Sequence, residues 1–378
     1  MPLTGTVMMK KFVVSLFLGW ISFYASSAFS TDSGKRAETT EISAACETGM
    51  SGSRDFFHLP EEQDVRRQSL STKQNTMMDT KKIGIAIIAP GGYVPDSSLE
   101  KGIDSLKSRG YRVFNYYDPE KRYQRFSATD EERVQQIVQA VSNPRAQIVM
   151  ALRGGYGTTR LLPYLDFDGL AKSGKLFVGH SDFTVFQMAL LKKGGISFAG
   201  PMVNSDFAGK EPGGFTIDHF ETCMTSPEVF LEWFSRNNPD VNVEGVLWGG
   251  NLTMLAHLAG TPWMPDISGG ILFVEDVHEQ PYRVERMLLQ LDEAGILGKQ
   301  KALVLGHFTE FKETDYDNGY DFEAMLVWLR SRLTIPVLTG LPFGHVRDKA
   351  TLPVGGHARL VSREGKTQLY LSGYPTVW

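Results

Sequence analysis

The chain has 378 residues, of which 42% are hydrophobic and 22% charged, with a net charge of −4. That length and apolar content suffice for two domains or one large one. Lys and Arg are scattered, with no basic stripe interleaved with aromatics, so no electrostatic case exists for a nucleic-acid partner, and small-molecule or peptide substrates are favoured.

Lys10-Lys11, an apolar run over 12–25 and small residues at Ser26 and Ala28 have the three-part order of a secretory signal peptide over 1–30. Export to the periplasm, with cleavage after Ala28 or Ser30, is the expectation. Residues 31–80 turn to Ser, Thr, Glu, Arg and Gln with little apolar periodicity, as in a disordered linker. The competing reading is translation from Met77 or Met78, which leaves the product in the cytoplasm. Two cysteines, Cys46 and Cys223, make no disulfide framework, and Cys223 reads as a small buried hydrophobe.

From residue 82 the pattern alternates. An apolar strand over 82–89 ends in Pro90-Gly91-Gly92 and precedes Leu99, Ile103 and Leu106 at helical spacing. Strands over 111–116, 148–152 and 176–178 follow, with a helix over 131–141. This predicts an α/β fold whose N-terminal domain, 81–200, is a doubly wound parallel sheet with its ligand crevice at the carboxyl ends of the strands. Residues 201–243, rich in Gly, Pro and aromatics, read as a less regular bridge. A smaller α/β or β-rich C-terminal domain, 244–378, has strands at 271–274 and 302–305, helices over 252–258, 284–291 and 322–333, and closing antiparallel strands at 358–361 and 368–371.

Chemistry concentrates at strand ends. The strand at 176–178 runs into Gly179-His180-Ser181-Asp182 and then a helix-like run, the local shape of a nucleophile elbow, with Phe183 where G-x-S-x-G requires glycine. Ser181 is the leading nucleophile. Its base must come from eight histidines. His180 should diverge from its neighbour Ser181, His257 lies on an apolar helix, His58 falls in the linker and His219 in the bridge. His278, His307 and His357 lie near turns, and His345 sits on a glycine-preceded loop. Glu275 and Asp276 end a strand, and strand alternation leaves open which carboxylate faces the crevice. Arg153-Gly154-Gly155-Tyr156-Gly157 lacks both the P-loop and the dinucleotide pattern, but its bare N–H groups suit a developing oxyanion. No metal-ligand spacing appears, so neither metal nor cofactor is expected.

Five motifs taken together resemble the L,D-carboxypeptidase family of serine peptidases. They are Arg153-Gly154-Gly155-Tyr156-Gly157, Gly179-His180-Ser181-Asp182-Phe183-Thr184, Leu247-Trp248-Gly249-Gly250-Asn251-Leu252, Glu275-Asp276 with 281–287, and Phe343-Gly344-His345 with Thr351-Leu352-Pro353. The resemblance runs from about residue 83 to the C-terminus. It implies a two-domain α/β protein with a metal-free triad in which Ser181 is the nucleophile, Glu275 the acid and His345 the base. It also implies an oxyanion hole from the N–H groups of Gly155 and Asp182. Family members release the terminal D-alanine of muropeptide tetrapeptides, commonly as homodimers and typically in the cytoplasm. Arg153, Asn251 and Arg283 are candidates for holding the leaving residue's carboxylate. Two alternatives remain. A microcin-immunity-type peptidase cleaving a peptidyl-nucleotide would want an aromatic platform, for which Trp248 alone is insufficient. A non-catalytic muropeptide-binding protein has the intact Ser181, Glu275 and His345 against it.

Overall fold

In the computed structural model residues 83–209 and 214–377 are described. The expectations for 1–30, 31–80, Met77, Met78 and Cys46 lie outside them. The first half comprises β1 (Gly84–Ile88), α1 (Asp96–Ser108), β2 (Arg112–Asn115), α2 (Asp130–Ser142), β3 (Ile148–Ala151), α3 (Phe167–Lys172), β4 (Leu176–Gly179), α4 (Thr184–Leu191) and β5 (Ser197–Ala199). The strands lie in the order β5-β4-β3-β1-β2, all parallel. Every residue of β1, β3 and β4 is buried, which is why they read as continuous apolar runs rather than alternating ones.

Helix α2 shows how local sequence supports the strand ends. Thr129 caps it, the Thr129 hydroxyl accepting from the Glu132 N–H and the Glu132 carboxylate from the Thr129 N–H, a reciprocal box worth about 1 kcal/mol. Its inner face carries two polar residues among the apolar ones. Gln136 accepts from the Ala89 N–H at 2.9 Å, and the fully buried Arg133 donates to the carbonyls of Pro90 and Gly157. One guanidinium therefore ties both glycine-rich loops together.

The second half comprises α5 (Gly214–Thr225), β6 (Val229–Phe234), β7 (Val241–Asn251), α6 (Leu252–Leu258), β8 (Ile271–Val277), α7 (Pro281–Glu293), β9 (Ala302–Thr309), α8 (Phe322–Arg332), β10 (Val337–Leu338), β11 (Leu352–Val354), β12 (His357–Arg363) and β13 (Lys366–Ser372). Its sheet runs β10-β9-β8-β7-β12-β13-β6, parallel from β10 to β7 and antiparallel from β7 to β6. Strand β7 changes character along its length. Residues 241–246 pair with β12 and are largely half-buried or exposed, whereas Leu247–Asn251 pair with β8 and are all buried.

Three expectations are corrected. The bridge at 201–243 holds regular structure: α5 buries Ile217, Phe220 and Met224 at helical spacing, and β6 is the edge strand of the second sheet. The second sheet, with seven strands against six, is not the smaller. Finally, β11 leaves the second half to pair antiparallel with β5, Leu352 opposite Ala199 and Pro353 opposite Phe198. Proline suits that position, at the edge of the first sheet. This return crossing carries the segment 344–351 onto the carboxyl end of the first sheet.

Candidate active site

Strand β4 delivers Ser181 at the head of a 3-10 turn, Ser181–Phe183, that leads into α4. Ser181 has φ +61°, a left-handed conformation that costs a non-glycine residue about 1–2 kcal/mol. Two glycines make room for it. A Cβ on Gly154 would stand 2.8 Å from both Cβ and Oγ of Ser181, and one on Gly179 would stand 2.7 Å from the Phe183 ring. Phe183, standing where the G-x-S-x-G pattern has glycine, is accommodated at this turn. It fills the space that Gly179 leaves empty and stacks on Phe186 at 4.7 Å.

His345 arrives from the other half of the chain. Phe343 is buried, its carbonyl accepts from the His307 N–H on β9 at 2.8 Å, and Gly344 has φ +144°. A side chain at 344 would meet the His307 carbonyl at 3.0 Å and the Glu275 Cβ at 3.4 Å. The ring so placed receives the Ser181 hydroxyl at Nε2, 3.1 Å away, while its Nδ1 donates to Glu275 Oε2 at 2.7 Å. Glu275 has no solvent exposure. Burial works against the imidazolium, but the hydrogen bond and charge of Glu275 outweigh it, so the His345 pKa is raised.

The neighbouring carboxylate turns away. Asp276 accepts from the N–H and hydroxyl of Thr253, both at 2.8 Å, and from the Asn251 amide at 2.9 Å. Both Glu275 and Asp276 are buried because they lie within β8, whose register with β9 shifts between Val274 and Asp276. His180 donates from Nδ1 to the Gly200 carbonyl at 2.8 Å, and burial holds its pKa well below the usual histidine value. Its ring lies edge-on to His345 at 5.2 Å, as an uncharged neighbour.

Ser181 and His345 open onto a cavity of about 380 Å³ whose wall includes Arg153, Gly154, Gly155, Asp206, Arg347 and Lys349. Lys349 and Asp206 form a pair at 2.6 Å, their side chains 3% and 4% exposed. The Asp182 carboxylate accepts from the Thr158 N–H at 2.8 Å, fixing the Gly154–Thr158 loop, and burial raises its pKa. The backbone N–H of Asp182 lies at the start of the turn, where a helix leaves donors unbonded.

Of the residues chosen from sequence, Ser181, His345, Gly155 and Arg153 line the cavity and Glu275 stands behind His345. Two are placed elsewhere. Asn251 is 5% exposed and donates to Glu275 at 3.3 Å and to Asp276, capping α6 as well. Arg283 pairs with Glu279 on the surface of α7 and is not on the cavity wall. Asn251 and Arg283 were chosen for hydrogen-bonding type within a motif, and the end of β7 turns the first, and the outer face of α7 the second, elsewhere. The motif around 248–250 is likewise explained by packing. Trp248 is buried and donates to Gln300 at 3.0 Å, and a Cβ on Gly250 would meet Thr184 Oγ1 at 2.6 Å. Sequence reasoning missed Asp206, Lys349 and Arg133, because the Lys349–Asp206 pair spans 143 positions and Arg133, beside its near partner Asp130, also reaches the carbonyls of Pro90 and Gly157.

Comparisons with known proteins identify the relatives of this chain. Residues 85–200 match the LD-carboxypeptidase N-terminal domain and 244–360 the LD-carboxypeptidase C-terminal domain. The murein tetrapeptide carboxypeptidase of Pseudomonas aeruginosa is 31% identical over 287 residues, 73% of this chain and 92% of that protein. The microcin C7 self-immunity protein of Escherichia coli is 28% identical over 298 residues, 71% and 86% of the two chains. Among solved structures, a muramoyltetrapeptide carboxypeptidase from Oxalobacter formigenes is 71% identical with a TM-score of 0.76, covering 78% of this chain and all of its own. A hydrogen-bonded Ser-His-Glu line assembled from two matched domains, with relatives similar across nearly their whole length, places the chain in the LD-carboxypeptidase family.

Proposed function

We propose that the protein is a serine L,D-carboxypeptidase that releases the terminal D-alanine of murein tetrapeptides, with Ser181, His345 and Glu275 as its triad. The observation that carries this is the unbroken line from Ser181 through His345 to the buried Glu275 at the wall of the cavity. The strand order β5-β4-β3-β1-β2 supports reading the first sheet as doubly wound, with Gly179 to Phe183 as its nucleophile elbow.

The steps follow from position. His345 Nε2 takes the Ser181 hydroxyl proton as Oγ attacks the scissile carbonyl carbon. The tetrahedral oxyanion is received by the backbone N–H groups of Gly155 and Asp182. His345 then gives the proton to the D-alanine nitrogen, the C–N bond breaks and D-alanine leaves with a free amine. Water, losing a proton to the same nitrogen, hydrolyses the acyl ester and returns the serine. Glu275 holds the imidazole with its proton on Nδ1 and steadies the cation. The carboxylate of D-alanine is held on the wall carrying Arg153 and Lys349.

Incubation with purified tetrapeptide followed by mass spectrometry tests the reading. Tripeptide plus free D-alanine is the expected result, and intact tetrapeptide overturns it. A peptidyl-nucleotide substrate would want an aromatic platform for its base, and Trp248, being buried, does not supply it. Homodimerisation and export to the periplasm belong to the same proposal. Light scattering tests the first. For the second, a periplasmic product starting near residues 29–31 supports export, and a cytoplasmic one starting at Met77 or Met78 overturns it.

A further inference from the structure

Helix α5 stands outside the triad, yet it grips the stretch of chain that carries the base. Residues 344–351 form neither helix nor strand, so the position of His345 depends on where the polar backbone groups of that stretch are bonded. Three of those groups go to two side chains of α5. The Thr216 hydroxyl donates to the Arg347 carbonyl at 2.8 Å and accepts from the Lys349 N–H at 2.9 Å. His219 Nδ1 accepts from the Thr351 N–H at 3.1 Å. Both side chains are buried. Burial pushes the His219 pKa down to about 4, so the ring is neutral and Nδ1 keeps its lone pair for the Thr351 N–H. Thr216 and His219 lie three positions apart on one face of the helix. Other residues fasten α5 to its surroundings. Ile217, Phe220 and Met224 are buried, Phe220 lies edge-on to Phe207 at 6.2 Å, and Tyr111, just before β2, donates to Glu221 at 3.3 Å. Phe207 belongs to the π turn Val203–Phe207, whose Asp206 holds the Lys349 ammonium.

From these observations we propose that Thr216 and His219 are positioning residues for the triad, clamping 344–351 so that His345 Nε2 stays within bonding distance of Ser181. The inference rests on the function proposed above and adds a role for α5 in the same reaction. Neither residue is on the cavity wall, so each acts through the backbone that it holds. The base sits midway between two anchors. Two positions before it, the Phe343 carbonyl accepts from the His307 N–H on β9 at 2.8 Å, and two positions after it, the Arg347 carbonyl accepts from Thr216. The His345 carbonyl itself is reached by the Thr309 hydroxyl at a long 3.5 Å. Loss of the Thr216 anchor therefore leaves the backbone of the base held firmly from one side. Glu275 still orients the ring but does not fix the chain beneath it. A displacement of about 1 Å between base and nucleophile costs up to about a hundredfold in rate.

The test measures D-alanine release from tetrapeptide, with kcat referred to folded enzyme, and hydrogen exchange at the Lys349 and Thr351 N–H groups, which needs no substrate. Thr216→Val keeps the shape of the side chain and removes both of its bonds, whereas Thr216→Ser keeps the hydroxyl. In Thr216→Val kcat should fall by about tenfold to a hundredfold, and in Thr216→Ser it should stay within about threefold of wild type. Exchange at Lys349 should quicken in the first variant and not in the second. His219→Phe, a ring without the acceptor, should quicken exchange at Thr351 and lower kcat in the same direction, and it carries the test if Thr216→Val does not fold. A folded Thr216→Val with kcat within about twofold of wild type overturns the clamp. So do equal losses in Thr216→Val and Thr216→Ser, or a His219→Phe enzyme with wild-type kcat. Absence of release by wild type overturns the function proposed above, and exchange then judges the clamp by itself: unchanged rates at Lys349 in Thr216→Val overturn it.

Discussion

Replacing Glu275 by Gln probes the proposed triad at its most buried member without changing its shape. Two bonds meet at the Glu275 carboxylate: Oε2 accepts from His345 Nδ1 at 2.7 Å and Oε1 accepts from the Asn251 amide at 3.3 Å. A glutamine has only one acceptor oxygen. If that oxygen keeps the Asn251 bond, the new NH2 faces His345 and forces the tautomer with the proton on Nε2, which cannot accept from Ser181. If it turns to His345, two NH2 groups face each other in a site without solvent, at a cost of about 1–3 kcal/mol. Loss of the right tautomer lowers kcat by about 10⁴-fold in a serine triad, with KM little changed. The pH profile gives a second readout. In wild type His345 must be neutral to act, and its raised pKa places the acid limb of kcat/KM above about 6.5, the ordinary histidine value. Without the Glu275 charge the two largest raising influences go, leaving burial and Lys349 against Asp276 alone, so the limb moves to lower pH. Steady-state D-alanine release across pH measures both. A Glu275→Gln enzyme within tenfold of wild type, with an unmoved acid limb, would refute the reasoning.

Four further outcomes follow from the same geometry. Ser181→Ala should lose activity by several powers of ten, while Ser181→Gly should be the more stable of the two by about 1 kcal/mol, because glycine accepts φ +61° without strain; thermal unfolding of both checks this. Gly154→Ala should abolish turnover, since its Cβ would lie 2.8 Å from the nucleophile, and normal rates would show that the loop yields freely. Lys349→Met leaves the buried Asp206 without its partner and should cost about 3–5 kcal/mol in a denaturant titration. Activity should survive EDTA, because the attacking group is a side-chain hydroxyl; loss on chelation with recovery on adding Zn²⁺ would overturn the serine mechanism.

Local pattern was enough for most of the elements. The strands β1, β3 and β4 are buried on both faces and so appear as unbroken apolar runs, and α2, α6 and α7 announce themselves by periodic apolar residues. The strand-to-turn step at Ser181 and the glycines at 154 and 155 were legible for the same reason, since a left-handed serine and a close backbone approach demand particular residues within a few positions. The segments β6 and α5 were not, because β6 is an edge strand of aromatics and α5 begins with Gly and β-branched residues in a glycine-rich region. The choice between Glu275 and Asp276 came from likeness to a family. Strand alternation by itself left it open, and β8 buries both carboxylates across an irregular register. Local pattern likewise left eight histidines open; the resemblance implied His345, and the tertiary structure brings it to the serine. His345 is 164 positions from Ser181 in the chain and reaches it because β11 crosses back to β5 and Gly344 lies flat on β9. The tertiary structure also placed Asn251 against Glu275 and Asp276, Arg283 on the surface, and Asp206 beside Lys349. Such pairings depend on long-range topology, which no local spacing encodes, whereas hydrophobic period and backbone strain are written wherever they act.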